Sequence, residues 1–380
     1  MTRVCLGDVA REIKQKVPVD QELPTVGLEH LDPGEVELAH WDEGVETTFT
    51  KAFSKGQVLF GRRRAYLRKA AVAPFDGICS GDITVIAPKD NLSPRLLPFI
   101  IQNDALFEHA ITNSAGSLSP RVKWQSLSQF EFELPSIAKQ EDLADILWTA
   151  QETRSHYRQL LAVCDDVVKS QFVEMFGEPA ENPKGWETSS LTSLGSCKNG
   201  MNFKSKESGI ELPCLGVGDF KDRSVINDVS EMGRINLDDE PAEGYFLKDG
   251  DIVFVRSNGN KELVGRCLAV YPHGEKAVFS GFCIRLRVES DKVRIPYLIW
   301  ALKQPSMRQQ MFGRGANVQN LNQKLMAKVD VPIPPLAEQD RFLAFVSIVD
   351  KSKFAVQKAL DELNATTKKI LNQELGLGDV

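Results

Sequence analysis

One stretch of this chain occurs twice, and it constrains everything else. Pro135-Ser-Ile-Ala-Lys-Gln140-Glu141 opens a run with no proline or glycine until Gly177, and Pro334-Pro-Leu-Ala-Glu-Gln339-Asp340 opens another that lasts to Gly376. Gln339 lies 199 residues after Gln140, as Gly376 does after Gly177. In the first run Leu143, Leu147, Ala150, Arg154, Tyr157, Leu161, Cys164, Val168, Gln171 and Met175 alternate steps of four and three. The second keeps that register in Phe342, Val346, Val349, Lys353, Val356, Leu360, Leu363, Thr367, Ile370 and Glu374. This is the spacing of a coiled-coil seam. Its cationic interruption recurs as Arg154 and Lys353, and a polar seam residue is a known device for fixing register. A shared displacement, seam and entry motif favour a duplication over two unrelated amphipathic helices.

The duplication reaches beyond the helices. Leu23-Pro-Thr-Val-Gly27 echoes Leu212-Pro-Cys-Leu-Gly216, and Lys55-Gly-Gln-Val-Leu-Phe60-Gly-Arg62 echoes Asp249-Gly-Asp-Ile-Val-Phe254-Val-Arg256. Ser80-Gly81 echoes Ser280-Gly281, and Phe130-Glu-Phe-Glu-Leu134 matches Val329-Asp-Val-Pro-Ile333. Each half therefore reads as an α+β domain followed by one long helix. Residues 57–60, 70–73, 83–87 and 130–134 have the short β-branched or alternating pattern of strands. Residues 96–111 and 296–311 each read as one helix closed by a glycine-containing turn. The expected organisation is a first domain over 1–140, a long helix over 141–177, a linker over 178–185, a second domain over 186–338 and a second long helix over 339–376. Packing about a pseudo-twofold axis would pair the two helices as an antiparallel coiled coil. About 35 helical residues span roughly 50 Å, the length of about 15 base pairs.

Composition narrows the class. The chain has 380 residues, 42% hydrophobic and 26% charged, in the range of ordinary globular domains. No run of about eighteen apolar residues suggests a membrane span, and the start has no signal-peptide core. Seven scattered cysteines without metal spacing read as reduced thiols, so a cytoplasmic location is expected. A net charge of −6 means that any nucleic-acid binding must rest on local charge.

That local charge lies between Lys51 and Lys69, where Lys51, Lys55, Arg62, Arg63, Arg64, Arg68 and Lys69 occur with no acidic residue and with Tyr66 among them. Arginine clamps phosphates and bonds guanine bidentately. The competing reading is a solvated strand end paired with the acidic segment 32–46. The matching place in the second half is Arg256-Ser-Asn258-Gly-Asn260-Lys261, poorer in charge and richer in amides. Asparagine bonds adenine bidentately, so two such edges on one scaffold would read different sequences. The loop after the short helix is the second candidate, with Ser117, Ser119, Arg121 and Lys123 in the first half and Arg314, Asn317, Gln319 and Asn320 in the second. These loops hold hydrogen-bonding groups and no acids, although a loop that merely joins helix to strand would look similar.

Catalytic patterns are missing. Gly216-Val-Gly218 lacks the rest of a dinucleotide fingerprint, no Gly-Lys-Ser/Thr marks a phosphate loop, and Gly77-Ile-Cys-Ser80-Gly81 is not a nucleophile elbow. No metal site and no cofactor are expected in this chain. From the residues, a DNA-recognition protein stands beside two rivals: a coiled-coil adaptor whose heads bind acidic proteins, and a methyltransferase with a degenerate motif.

The chain resembles the specificity subunit of type I restriction-modification systems along essentially its whole length. The resemblance rests on Gly56-Gln-Val-Leu-Phe-Gly-Arg-Arg-Arg-Ala-Tyr-Leu-Arg68-Lys, on Pro135 to Gln140 and Pro334 to Gln339, and on Phe176-Gly-Glu-Pro followed by Asn182-Pro-Lys-Gly-Trp186. Many members carry Gly-Ser/Thr-x-x-Pro after the short helix; Gly116-Ser117-Leu-Ser-Pro120 fits, whereas Gly315-Ala-Asn-Val-Gln319 departs. The resemblance implies a non-catalytic subunit with two target-recognition domains, each reading one half of a split double-stranded DNA site. It implies helices that set the spacing and dock two methyltransferase (modification) subunits. Those partners would supply S-adenosylmethionine, and restriction subunits would supply ATP- and magnesium-dependent cleavage. It extends DNA contact to Arg62, Arg63, Arg64, Tyr66, Arg68 and Lys69 by motif, and to Arg256, Asn258, Asn260 and Lys261 through the internal repeat. A recognition subunit of a combined restriction-and-methylation enzyme, cutting beside its site, would look the same.

Overall fold

The computed structural model describes residues 2–18, 23–44, 47–204, 208–221, 223–311 and 320–378. The chain divides into two compact units, Met1–Leu161 with Ala355–Val380, and Ala162–Phe354.

In the first unit a four-stranded antiparallel sheet has the order Ala10–Ile13, Ile83–Pro88, Val58–Gly61, Ala70–Val72. A three-stranded sheet orders Thr25–Val26, Gly77–Cys79, Lys51–Phe53, and Thr2–Cys5 pairs antiparallel with Glu131–Leu134. The second unit repeats this plan. Gly195–Asn199, Cys283–Val288, Asp251–Val255 and Cys267–Val270 follow one another as the four strands of the first unit do, with Val225–Ile226 added in parallel at the edge. Ile210–Leu215 lies between Gly233–Leu237 and Val278–Phe279, and Thr188–Ser190 pairs with Asp330–Pro332.

The alternation of each central strand explains why it is apolar throughout. Val58 and Phe60 face one core, shared with the long helices, and Leu59 faces a second core beneath the small sheet. Ile252 and Phe254, against Val253 and Val255, repeat the arrangement. A strand covered on both faces cannot carry a polar stripe.

The short helical stretch of each half is two helices, not one. Asn103 ends Leu97–Ile101 and caps Asp104–Thr112, its side chain accepting from Ala105 N at 2.8 Å. Pro305 breaks the second stretch into Ile295–Lys303 and Pro305–Gln310, because a proline excludes the residue before it from helical backbone.

The long helices run Ile137–Phe176 and Leu336–Glu374. Each ends on a glycine with positive φ, +76° at Gly177 and +60° at Gly376. That left-handed turn is the usual helix stop and favours glycine, which has no Cβ to strain it. In both helices every seam position named above is buried or half-buried. The first unit packs Leu143, Ala144 and Leu147 with Leu371 and Leu375. The second packs Val168, Phe172 and Phe176 with Phe342. The two cations of the seam differ. Lys353 Nζ meets Asp165 at 2.5 Å, whereas Arg154 bonds Gln151 Oε1 at 2.9 Å and leaves its Nε without a partner. No helix among the described residues is long and apolar enough to cross a membrane.

Candidate DNA-binding edges

The basic run of the first unit folds into a knuckle. The central strand ends at Gly61, Arg62 to Arg64 leave the sheet, Ala65–Leu67 makes one 3-10 turn, and the chain re-enters the sheet at Ala70. Arg64 and Arg68 bracket that turn with φ of +54° and +51°. Left-handed backbone costs a side-chain-bearing residue about 1 kcal/mol or more. Here it is held by hydrogen bonds from Leu67 N to Arg64 O and from Arg68 N to Ala65 O, both 2.9 Å.

The loop after the helices docks onto this knuckle. Arg64 N donates to Pro120 O at 2.8 Å and Val122 N to Arg62 O at 3.0 Å, and Arg63 and Arg121 form a β-bridge. The two stretches that sequence reasoning named separately are therefore one surface. Asp82 locks them together. Its carboxylate accepts from Arg121 Nε at 2.6 Å and Nη2 at 3.1 Å, and from Arg63 Nη1 at 3.5 Å. Arg63 also donates to Ser119 Oγ at 3.1 Å. The hydrogen bond from Arg121 is the main reason the Asp82 carboxyl sits below its ordinary range, and Asp82 in turn raises Arg121.

Several cations of the run are thus already engaged. Arg68 is bonded by Asp104 and Glu108, Lys69 Nζ donates to Leu28 O at 2.8 Å, and Lys51 Nζ to Ile83 O at 2.7 Å. The acids that balance the run are Glu12, 3.7 Å from Lys51 Nζ, and Asp82, Asp104 and Glu108; the segment 32–46 supplies it with no side-chain ion pair among the described residues. Arg62 and Arg64 have no carboxylate partner among the described residues. Arg64, Tyr66, Ser117 and Lys123 are exposed, and Leu118 is 90% exposed at the loop tip.

The second unit builds the same joint from different side chains. Arg256 O accepts from Leu321 N at 2.8 Å, and Ser257 forms a β-bridge with Asn320. Arg256 Nη1 donates to Gly281 O at 3.2 Å. Asn258 Oδ1 accepts from Asn260 N at 2.8 Å and Asn260 Oδ1 from Glu262 N at 3.0 Å, so these amides also shape their own loop. The backbone of Lys261 begins a 3-10 turn, and its side chain lies outside the described residues, as do Arg314, Asn317 and Gln319. Asn320 is exposed.

Sequence reasoning missed Asp82 and its counterpart Phe282, which is 61% exposed. The available signal was the Ser80-Gly81 and Ser280-Gly281 echo, since the residue that follows it is Asp82 in one half and Phe282 in the other.

The type I restriction modification DNA specificity domain family matches residues 2–160 and again residues 183–365. The specificity subunit of the type I restriction enzyme StySPI of Salmonella potsdam is 24% identical over 84% of this chain and 72% of its own length. That of EcoKI from Escherichia coli K12 is 24% identical over 70% of this chain and 62% of its own length. Among solved structures, a chain from work on assembly and conformational transition of a type I restriction-modification system superposes with a TM-score of 0.64 at 19% identity. The alignment covers 100% of this chain and 98% of that one. The type I S subunit of M. genitalium gives a TM-score of 0.54 at 15% identity, covering 100% and 96%. With two tandem family domains on a mixed α and β frame, and long helices packing within it, this chain belongs to the type I restriction-modification DNA specificity family.

Proposed function

We propose that each unit reads one half of a bipartite double-stranded DNA site through its knuckle and docked loop, and that the chain catalyses nothing itself. The observation that carries this reading is the duplicated joint. One backbone frame presents arginines in the first unit and amides with an exposed phenylalanine in the second. A retained frame with exchanged edge residues suits two half-sites of different sequence. Arg62, Arg64, Tyr66, Ser117 and Lys123 are the DNA-facing set of the first unit, with Arg63, Ser119, Arg121, Arg68 and Lys69 holding the edge in shape. Arg256, Asn258, Asn260, Lys261 and Asn320 are the corresponding set of the second, with Arg314, Asn317 and Gln319 beside them in sequence.

The long helices act as the spacer, pairing as an antiparallel coiled coil. A helix of 40 residues extends about 60 Å at 1.5 Å per residue. Their exposed flanks dock two methyltransferase subunits, which bring S-adenosylmethionine, and restriction subunits join that assembly with ATP and magnesium. The net charge of −6 makes DNA affinity of this chain alone modest and steeply salt-dependent.

The test is co-expression with the methyltransferase encoded beside it, exposure of plasmid DNA, and mapping of methylated adenines by long-read sequencing. A split motif with a fixed gap that vanishes when this chain is omitted is the expected result. Methylation that persists unchanged without this chain would overturn the proposal.

A further inference from the structure

The joint around Asp82 recurs around Phe282 in its main backbone hydrogen bonds. Arg62 N donates to Asp82 O at 2.9 Å and Arg256 N to Phe282 O at 2.8 Å. Asp82 N donates to Ser80 Oγ at 3.2 Å and Phe282 N to Ser280 Oγ at 3.3 Å. With the bridges Arg63–Arg121 and Ser257–Asn320, three positions correspond: Arg63 with Ser257, Asp82 with Phe282, and Arg121 with Asn320.

These three positions have changed as a set. The first unit fills them with an acid clamped by two arginines, and the second removes all three charges together. An aspartate left without its arginines beside a DNA-reading edge would repel phosphate. Its replacement by a small polar residue would suffice to relieve that. The position carries instead a large apolar ring, 61% exposed.

The ring is not there for the core. Phe279 and Cys283, on either side of it in sequence, are both fully buried and supply the packing. The turn that presents it is fixed on all sides. Gly281 N donates to Met201 O at 2.7 Å, Cys283 N to Ser280 O at 2.8 Å, and Phe282 O accepts a second hydrogen bond from Ser257 N at 3.2 Å. Asn202 closes against the turn so tightly that a Cβ on Gly281 would stand 2.1 Å from its Oδ1. The Arg256 guanidinium bonded to Gly281 O sets a positive charge against the turn that carries the ring. A solvent-facing aromatic on a fixed turn, near an arginine and an amide-rich loop, has the chemistry of a base-edge contact.

The geometry points to Phe282 as a specificity-determining residue of the second unit, its ring packing on the 5-methyl group of a thymine in the major groove. This rests on the DNA-reading function proposed above. Asp82 has the complementary role in the first unit, positioning Arg63 and Arg121 without touching DNA.

The experiment uses the complex of this chain with its methyltransferase, and duplexes in which each thymine of the second half-site is replaced singly by deoxyuridine. Wild type is expected to lose about fourfold in affinity at one thymine, the worth of one buried methyl group. Phe282→Ala should bind the thymine and uracil duplexes equally at that position, and Phe282→Leu should keep part of the discrimination. Wild-type indifference to every replacement, or full discrimination in Phe282→Ala, overturns the assignment. Arg64→Ala, assayed alongside, separates the two levels. Loss of first-half-site recognition in Arg64→Ala with full discrimination in Phe282→Ala overturns the Phe282 contact alone. Absence of site-specific binding by the wild-type complex overturns the DNA-reading function as well.

Discussion

Gln140 and Gln339 make the same three hydrogen bonds in the two units. Gln140 Oε1 accepts from Ser93 N at 2.8 Å while its Nε2 donates to Asn91 O at 3.2 Å and Pro135 O at 2.9 Å. Gln339 Oε1 accepts from Arg294 N at 2.7 Å while its Nε2 donates to Lys292 O at 3.0 Å and Pro334 O at 2.7 Å. Each pins the start of a long helix to the loop leading into the shorter helices, and both are buried, at 1% and 0% exposure. An amide is the side chain that offers one acceptor and two donors in this plane.

Replacing either glutamine by leucine leaves one backbone N–H and two carbonyls, buried or part-buried, without partners, a loss of about 2–3 kcal/mol. Urea unfolding of Gln140→Leu and Gln339→Leu measures it. A change under about 1 kcal/mol in both would show that water takes over these bonds.

Asp82 makes stability pH-dependent in a defined direction. Hydrogen bonding by Arg121 depresses its folded-state pKa below the ordinary 3.8. The folded protein therefore binds this proton less readily than the unfolded chain does. The resulting stabilisation is full above the ordinary value and fades as pH falls through the depressed one. Asp82→Asn should be less stable than wild type at neutral pH, with the gap closing below about pH 4. Thermal melts at stepped pH test this, and a gap that stays constant down to about pH 2 would rule it out.

Arg64→Ala removes an exposed cation without a carboxylate partner among the described residues, so the fold should not feel it. The expected signature is weaker methylation of one half-site and a salt-dependence slope smaller by about one unit. Equal binding and an unchanged slope would place Arg64 off the DNA.

The second unit closes around an aromatic cluster. The Phe342 ring lies 5.3 Å from that of Phe172, 5.5 Å from Phe176 and 5.8 Å from Trp300, all edge-on. Phe342→Ala should cost about 3–5 kcal/mol. Calorimetry would show the transition of that unit shifted to lower temperature. An unshifted profile would mean that neighbouring rings refill the space.

What the sequence declared, it declared through repetition and periodicity. The seam from Leu143 to Glu374 survives as the buried stripe of two helices because a heptad pattern depends only on local geometry. The strands expected over 57–60, 70–73, 83–87 and 130–134 were legible as short β-branched or alternating stretches, whereas Ala10–Ile13, the edge strand of the four-stranded sheet, carries no such pattern and was not. The break at Asn103 was not, since apolar spacing continues across it and only the capping role of the asparagine ends the helix. The pairing of Arg68 with Asp104 and Glu108, and of Arg121 with Asp82, joins residues 36 to 40 positions apart. No local pattern encodes such partners; they follow from the sheet order.

The membership of the first unit has a consequence for how the protein is made. Its core is completed by Leu371 and Leu375, and Leu375 O receives the backbone N–H of Glu133 at 2.8 Å. A ribosome must therefore translate all of residues 162–354, the whole of the second unit, before the first can close. The unit encoded first is finished last. Until then the side of the first core that Leu371 and Leu375 close stays open on the nascent chain.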